Sequence, residues 1–148
     1  MKSFKSSIQI ESSAENVWNI LTDAPSWIQW NTTIDKIEGE INLGNKVTVF
    51  AKASPGRAFP LRVTEFVPHK LMVWAGGMPL GLFTGKRAYS IRMINQNAVE
   101  FSMIEEFTGL MAPLITRSIP DLQPSFDEFA KCLKTYAESS HTEQSMAP

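Results

Sequence analysis

The sequence predicts an α+β domain in which an antiparallel sheet wraps around a helix near the end of the chain. Three observations carry this. Apolar runs of strand character recur from Lys2 to Leu110 with one early helical stretch among them, and short turn signals separate the runs. Beyond Thr108-Gly109 the period changes, and Leu122, Phe126, Phe129, Leu133 and Tyr136 follow one another at spacings of four, three, four and three. Such a one-sided helical stripe needs a sheet to cover.

The elements follow in order. Lys2 to Ile10 alternates, with Phe4, Ser6, Ile8 and Ile10 on one face, and reads as the first strand. Ser12-x-x-Glu15 offers a capping box, since a serine oxygen can accept an amide proton while the glutamate reaches back, and a helix with Val17, Trp18, Ile20 and Leu21 on its apolar side is expected to end at Asp23-Ala24-Pro25. A second short helix or turn is expected over Ser26 to Asn31. Strands are expected at about 33–41, 47–53, 60–67 and 71–75, and the glycine-rich stretch from Gly76 to Gly81 reads as a loop. The inward faces of the 60–67 and 71–75 strands stay open, because both alternations are apolar and a bulge would exchange them.

Two long strands, 82–94 and 98–110, close the sheet around Asn95-Gln96-Asn97. If Asn95 faces Asn97, Met93 pairs with Val99, Ile91 with Phe101, Tyr89 with Met103 and Arg87 with Glu105. One face is then apolar and ends in an ion pair, while Arg92, Ser90, Glu100, Ser102 and Glu106 take the other. After Gly109, Pro113 fits a first helical turn, whereas Pro120 and Pro124 predict a break between Arg117 and Ser125, with Ser118 available as a cap. Residues 1–138 are expected to form one domain and 139–148, small and polar in composition, a disordered tail.

The totals narrow the class of function. A chain of 148 residues buries roughly two-thirds of its unfolded surface. A net charge of -1 argues against nucleic acid or an anionic membrane as partner, no window approaches a membrane span, and the single Cys132 forms no internal disulfide, so a cytoplasmic location is expected. Monomer and homodimer both remain open. Two distant histidines, His69 and His141, and one cysteine do not supply the three or four converging donors of a metal site. No metal and no cofactor are expected. Seven Met, four Trp and nine Phe in so short a chain fit either a filled core or an adaptable apolar cavity.

Five motifs in order carry a resemblance: Val17-Trp18-x-x-Leu21-Thr22-Asp23, Trp30-Asn31, Gly44-x-x-Val47, Gly85 with Tyr89, and Glu106-Phe107-Thr108-Gly109-Leu110. Over about residues 3 to 138 the chain resembles the polyketide cyclase/dehydrase and lipid-transport superfamily, SRPBCC, which includes the START and birch-pollen allergen domains. The resemblance implies a helix-grip fold, with a seven-stranded antiparallel sheet around a long C-terminal helix, two short helices after the first strand, and an apolar cavity between sheet and helix. The residues expected to line that cavity are Arg87, Glu105, Tyr89, Trp27, Trp30, Trp74, Met78, Phe83, Phe101, Met103, Phe107, Met111, Ile115 and Phe126.

Three functions remain. The first is binding of a small hydrophobic molecule whose polar end meets Arg87 and Glu105, because a guanidinium anchors a carboxylate, phosphate or enolate oxygen. The second is a cyclase/dehydrase-type enzyme in which Glu105 or Tyr89 moves a proton. The third is a protein-interaction domain with a filled core. Each candidate also has a purely structural role open to it: the Arg87–Glu105 pair as closure of the sheet, Trp30-Asn31 as packing between helix and sheet, and Tyr89 as a buried phenol.

Overall fold

In the computed structural model, which describes residues 2–146 and their side chains as far as Ser139, the strands form one sheet in the order β1-β7-β6-β5-β4-β3-β2. They are β1 (Lys2–Ile10), β2 (Ile34–Glu38), β3 (Lys46–Ala51), β4 (Phe59–Val67), β5 (Leu71–Met78), β6 (Phe83–Asn95) and β7 (Ala98–Thr108). Every neighbouring pair is antiparallel. β2 to β7 form a meander, and β1 returns to lie beside β7. The helices are α1 (Ala14–Thr22), α2 (Trp27–Trp30), α3 (Ala112–Ile115) and α4 (Gln123–Met146). This is the helix-grip arrangement expected. The side chains of the expected tail beyond Ser139, and residues 147–148, lie outside the described residues.

The helical stripe meets the sheet as its spacing requires. Phe126, Phe129, Ala130, Leu133 and Ala137 of α4 are buried in the same core as Ile10, Val99, Phe101 and Met103. Polar contacts fix the direction of α4 along β1: Gln123 Nε2 donates to the Lys5 carbonyl (2.7 Å), Ser6 Oγ to Asp127 (3.0 Å), and Lys134 Nζ to the Gln9 carbonyl (2.9 Å). The break before α4 falls where the prolines put it, with Pro113 in the first turn of α3 and a 3-10 turn at Thr116–Ser118. Pro124 sits in the first turn of α4, where its missing N–H costs no intrahelical bond.

Several local expectations are corrected. The cap of α1 is Ser13, whose hydroxyl accepts from Asn16 N (3.1 Å); Ser12 is buried and accepts from Asn16 Nδ2 (2.8 Å) instead. The helix therefore starts one residue later than the Ser12-x-x-Glu15 spacing implies, and Ser12 is left free to hold the Asn16 side chain. Ser118 donates to the Ile115 carbonyl rather than capping α4, and the first turn of α4 is met by Asp121, which accepts from Gln123 N. Gly76 and Gly77 belong to β5, not to a loop. A side chain on Gly76 would sit 2.7 Å from the Pro60 carbonyl oxygen, and one on Gly77 would collide with that of Phe83, so both glycines let neighbouring backbone close in.

The hairpin of β6 and β7 pairs as expected, including Arg87 with Glu105 and Tyr89 with Met103. Its turn does not. Asn95 lies opposite Ala98, and a bulge between Met93 and Asn95 restores the register farther in. Met93, expected on the apolar face, is 59% exposed because this end of the hairpin runs past the core. A second bulge, between Val63 and Glu65, settles the open face of β5: Met72 and Trp74 point inward.

Candidate functional site

Antiparallel pairing lines up one inward row across four strands, Phe4 on β1, Glu105 on β7, Arg87 on β6 and Trp74 on β5. The next row holds Ser6, Met103, Tyr89 and Met72. A charged pair therefore sits in an apolar face. Arg87 Nη2 donates to Glu105 Oε2 at 2.8 Å, and the guanidinium lies over the Phe126 ring at 4.8 Å. Desolvation pulls the guanidinium's pKa down, but its interactions with the Glu105 carboxylate and with Tyr89 together outweigh it and leave Arg87 raised above its ordinary value.

Tyr89 is buried beside the pair. Burial pushes its phenol up, and the Arg87 charge pulls it part of the way back, although no hydrogen bond of ordinary geometry joins the two groups. Tyr89 Oη, Arg87 Nε and Trp74 Nε1 have no hydrogen-bond partner among the described residues. Trp30 Nε1 and Asn31 Nδ2 share that condition near α2. The first three stand on adjacent strands around the ion pair, and together they present donors to the interior.

Aromatic rings cluster between the sheet and α4. Trp27 stacks on Trp74 (5.5 Å, 17°) and meets Trp30 (5.4 Å) and Phe129 (5.3 Å), while Tyr89 lies 5.1 Å from Trp74 and 5.7 Å from Phe129. Trp27 Nε1 donates to the Leu21 carbonyl (3.0 Å), so this indole is a packing element held by backbone. Phe101 and Met103 are buried in the same layer. Two hollows, of about 480 Å³ on the outer sheet face around Val73, Ala88 and Ile104 and about 650 Å³ between α1 and the β4–β5 turn, touch none of the expected cavity residues. Large rings from α2, the sheet and α4 interdigitate between the sheet and α4.

The remaining candidates divide. Phe107 is buried and stacks on half-buried Phe83 (5.7 Å, 12°), and Phe126 lies 5.9 Å from Phe4. Of these rings, Phe126 lies against the Arg87 guanidinium of the ion pair. Met111 and Ile115 are half-buried on and beside α3. Met78 lies outside the group, 43% exposed at the tip of β5, because the strand continues through Gly77 and carries it beyond the core. Two neighbours of the pair were not among the residues expected at the site, although Gly85 stands in one of the five motifs. Phe4 faces Glu105, but no short turn joins β1 to β7 to give their register. Gly85 faces Phe107, and a side chain there would lie 3.2 Å from that ring and 3.9 Å from Glu105 Oε1.

Among the described residues no three His, Cys, Asp or Glu side chains converge as a metal site, and no helix is long and apolar enough to cross a membrane. Chemically, the group can anchor an acceptor oxygen through Arg87, Tyr89 and Trp74, or present the Glu105 carboxylate beside a phenol.

Known proteins with the same architecture are diverse. The chain is similar to the Zhui aromatase/cyclase from Streptomyces sp. R1128 (TM-score 0.72, 11% identity, covering 93% of each chain). It is also similar to truncated norcoclaurine synthase from Thalictrum flavum (TM-score 0.67, 12% identity, 91% of this chain and 92% of that one). A START superfamily protein from Mycobacterium smegmatis aligns with TM-score 0.66 at 13% identity over 93% of this chain and 98% of that one. At such identities the likeness speaks for the fold. No curated protein matches the sequence. The model of one family, polyketide cyclase / dehydrase and lipid transport, matches residues 1–138, and the chain belongs to that family.

Proposed function

We propose that this protein binds a small hydrophobic molecule carrying an acceptor oxygen at one end, held on the inner sheet face where Arg87 meets Glu105. The observation that carries this reading is the set of unpartnered buried donors, Tyr89 Oη, Trp74 Nε1 and Arg87 Nε, around one ion pair. A buried donor without an acceptor costs about 1–3 kcal/mol, and a ligand oxygen placed among the three would relieve part of that cost. The family's description, which includes lipid transport, supports an apolar ligand. Entry requires the Phe126 ring, which lies against the Arg87 guanidinium, to move.

Native mass spectrometry of protein purified from its own host, together with displacement of an apolar fluorescent dye, tests the proposal. Co-purified ligand or saturable dye binding is expected, with affinity changed by Tyr89→Phe. Protein that emerges empty and takes up no dye sinks it.

The ring-filled interior favours one competing reading, an interaction domain whose core admits nothing. The same experiment separates the two, since a closed core gives neither ligand nor dye binding.

A further inference from the structure

The end of the molecule where β5, β7 and α3 meet carries large apolar side chains that the fold leaves outside. Leu80 is 93% exposed, Leu110 84% and Leu114 62%. They are held together. Leu110 N donates to the Gly81 carbonyl (3.2 Å) and Met111 N to that of Leu82 (2.7 Å), so the β5–β6 turn and the β7–α3 turn are stitched side by side. Gly109, at φ 114°, permits this approach, because a side chain there would fall 2.7 Å from the Leu82 carbonyl oxygen.

Leu80 gives a second and independent sign. Its φ is 62°, a left-handed conformation that glycine or asparagine adopts with ease and leucine does not. Nothing inside the molecule compensates, since almost the whole side chain faces outward. A strained leucine at a turn tip contributes nothing to this fold, and its apolar surface is free for another body to bury.

Charge says which body. The loops at this end, 52–58, 79–82 and 109–118, contain Lys52, Arg57 and Arg117 and no aspartate or glutamate. Lys2 joins them, with its Nζ 3.5 Å from the Thr116 carbonyl oxygen. Asp35, next to Ile34 opposite Ala51, and Asp121 before α4 are the acids bordering these loops, two against the four cations. The net charge of -1 averages this basic end with the rest of the surface and conceals it. Leucines projecting from separate loop tips, fringed by cations, match a bilayer surface, which is apolar beneath anionic headgroups.

We propose that this rim docks on membranes containing anionic lipid, with Leu80, Leu110 and Leu114 in the headgroup–acyl boundary and Lys2, Lys52, Arg57 and Arg117 against the phosphates. The proposal is independent of what the interior binds. Co-sedimentation of the full chain with phosphatidylcholine vesicles, with and without phosphatidylserine, tests it. Binding to the phosphatidylserine vesicles is expected, weakening as salt rises. Leu80→Ser and Leu110→Ser should each lower the partition coefficient about tenfold, and Arg57→Gln and Arg117→Gln about fivefold.

Leu80→Gly guards against misfolding as the cause, because it relieves the strained backbone and should raise the melting temperature while lowering vesicle binding. Wild-type protein that stays in the supernatant overturns the proposal, as does equal binding to both vesicle types or a Leu80→Gly variant that binds undiminished. A concentration-dependent dimer lost in Leu110→Ser would assign the patch to a second copy and overturn it as well.

Discussion

Arg87 Nη2 and Glu105 Oε2 meet at 2.8 Å across the β6–β7 pairing, with side-chain exposures of 23% and 11%. That places the pair between a surface contact, which stabilises little, and a fully buried one, whose rupture strands a charge. Removing only the cation with Arg87→Met should cost about 2–4 kcal/mol in urea unfolding. Replacing both residues, as Arg87→Met with Glu105→Leu, should cost less than the Arg87→Met change alone. Simple additivity of the two single losses would show that the groups are not coupled.

Gly85→Ala tests the packing beside the pair. The new methyl would lie 3.2 and 3.3 Å from two carbons of the Phe107 ring, which is already stacked on Phe83 and cannot retreat freely. A loss of about 1–3 kcal/mol is expected from this overpacking, read from thermal unfolding. An unchanged melting temperature would mean that the ring has room to move.

Tyr89 predicts an alkaline effect. Burial raises its phenol above the ordinary value, so the fold favours the neutral form. The stability this contributes is fully present below the unfolded value, about 10, and is lost as pH rises through the folded one. Tyr89→Phe should therefore flatten the fall in stability above about pH 10. At neutral pH the same variant removes an unpartnered hydroxyl and should stay within about 1 kcal/mol of wild type or above it. Parallel pH profiles for the two proteins would refute the assignment.

Ser13→Ala should cost about 1 kcal/mol through loss of the bond from Asn16 N at the start of α1. Ser12, the cap expected from the sequence, holds Asn16 Nδ2, which also reaches the Ala137 carbonyl of α4 (3.3 Å). Thermal melts of Ser13→Ala and Ser12→Ala distinguish a helix-end effect from a helix-to-helix one. Only the Ser12 variant should loosen α4, visible as faster amide exchange near Ala137.

What was legible in the sequence is what depends on period and local turns. The β6–β7 pairing could be read because strands joined by a short turn have few registers available, and the bulge between Met93 and Asn95 compensated for a turn one residue shorter than assumed. The stripe from Leu122 to Tyr136 was legible for the same local reason. Phe4 opposite Glu105 was not, since β1 and β7 are far apart in the chain. Nor was the ring packing: that Trp27 lies flat on Trp74 depends on rotamers and on where α2 sits, and no spacing rule contains either.

That packing can be opened at one residue. Phe129 projects from α4 into the ring cluster, edge-on to Trp27 (72°) and Trp30 (84°) and stacked on Phe101 (16°). Phe129→Ala removes the ring that these side chains share, and rigid strands on one side with a helix on the other limit collapse, so a loss of about 3–5 kcal/mol is expected. The space left would be flanked by the faces of indoles and of Phe101, which suit a small aromatic probe. Benzene or indole should therefore raise the melting temperature of Phe129→Ala in a concentration-dependent way and leave the wild type unmoved. Failure of the probe to stabilise the variant would mean that the sheet and α4 close over the gap, and that the grip of this fold sets its own interior volume.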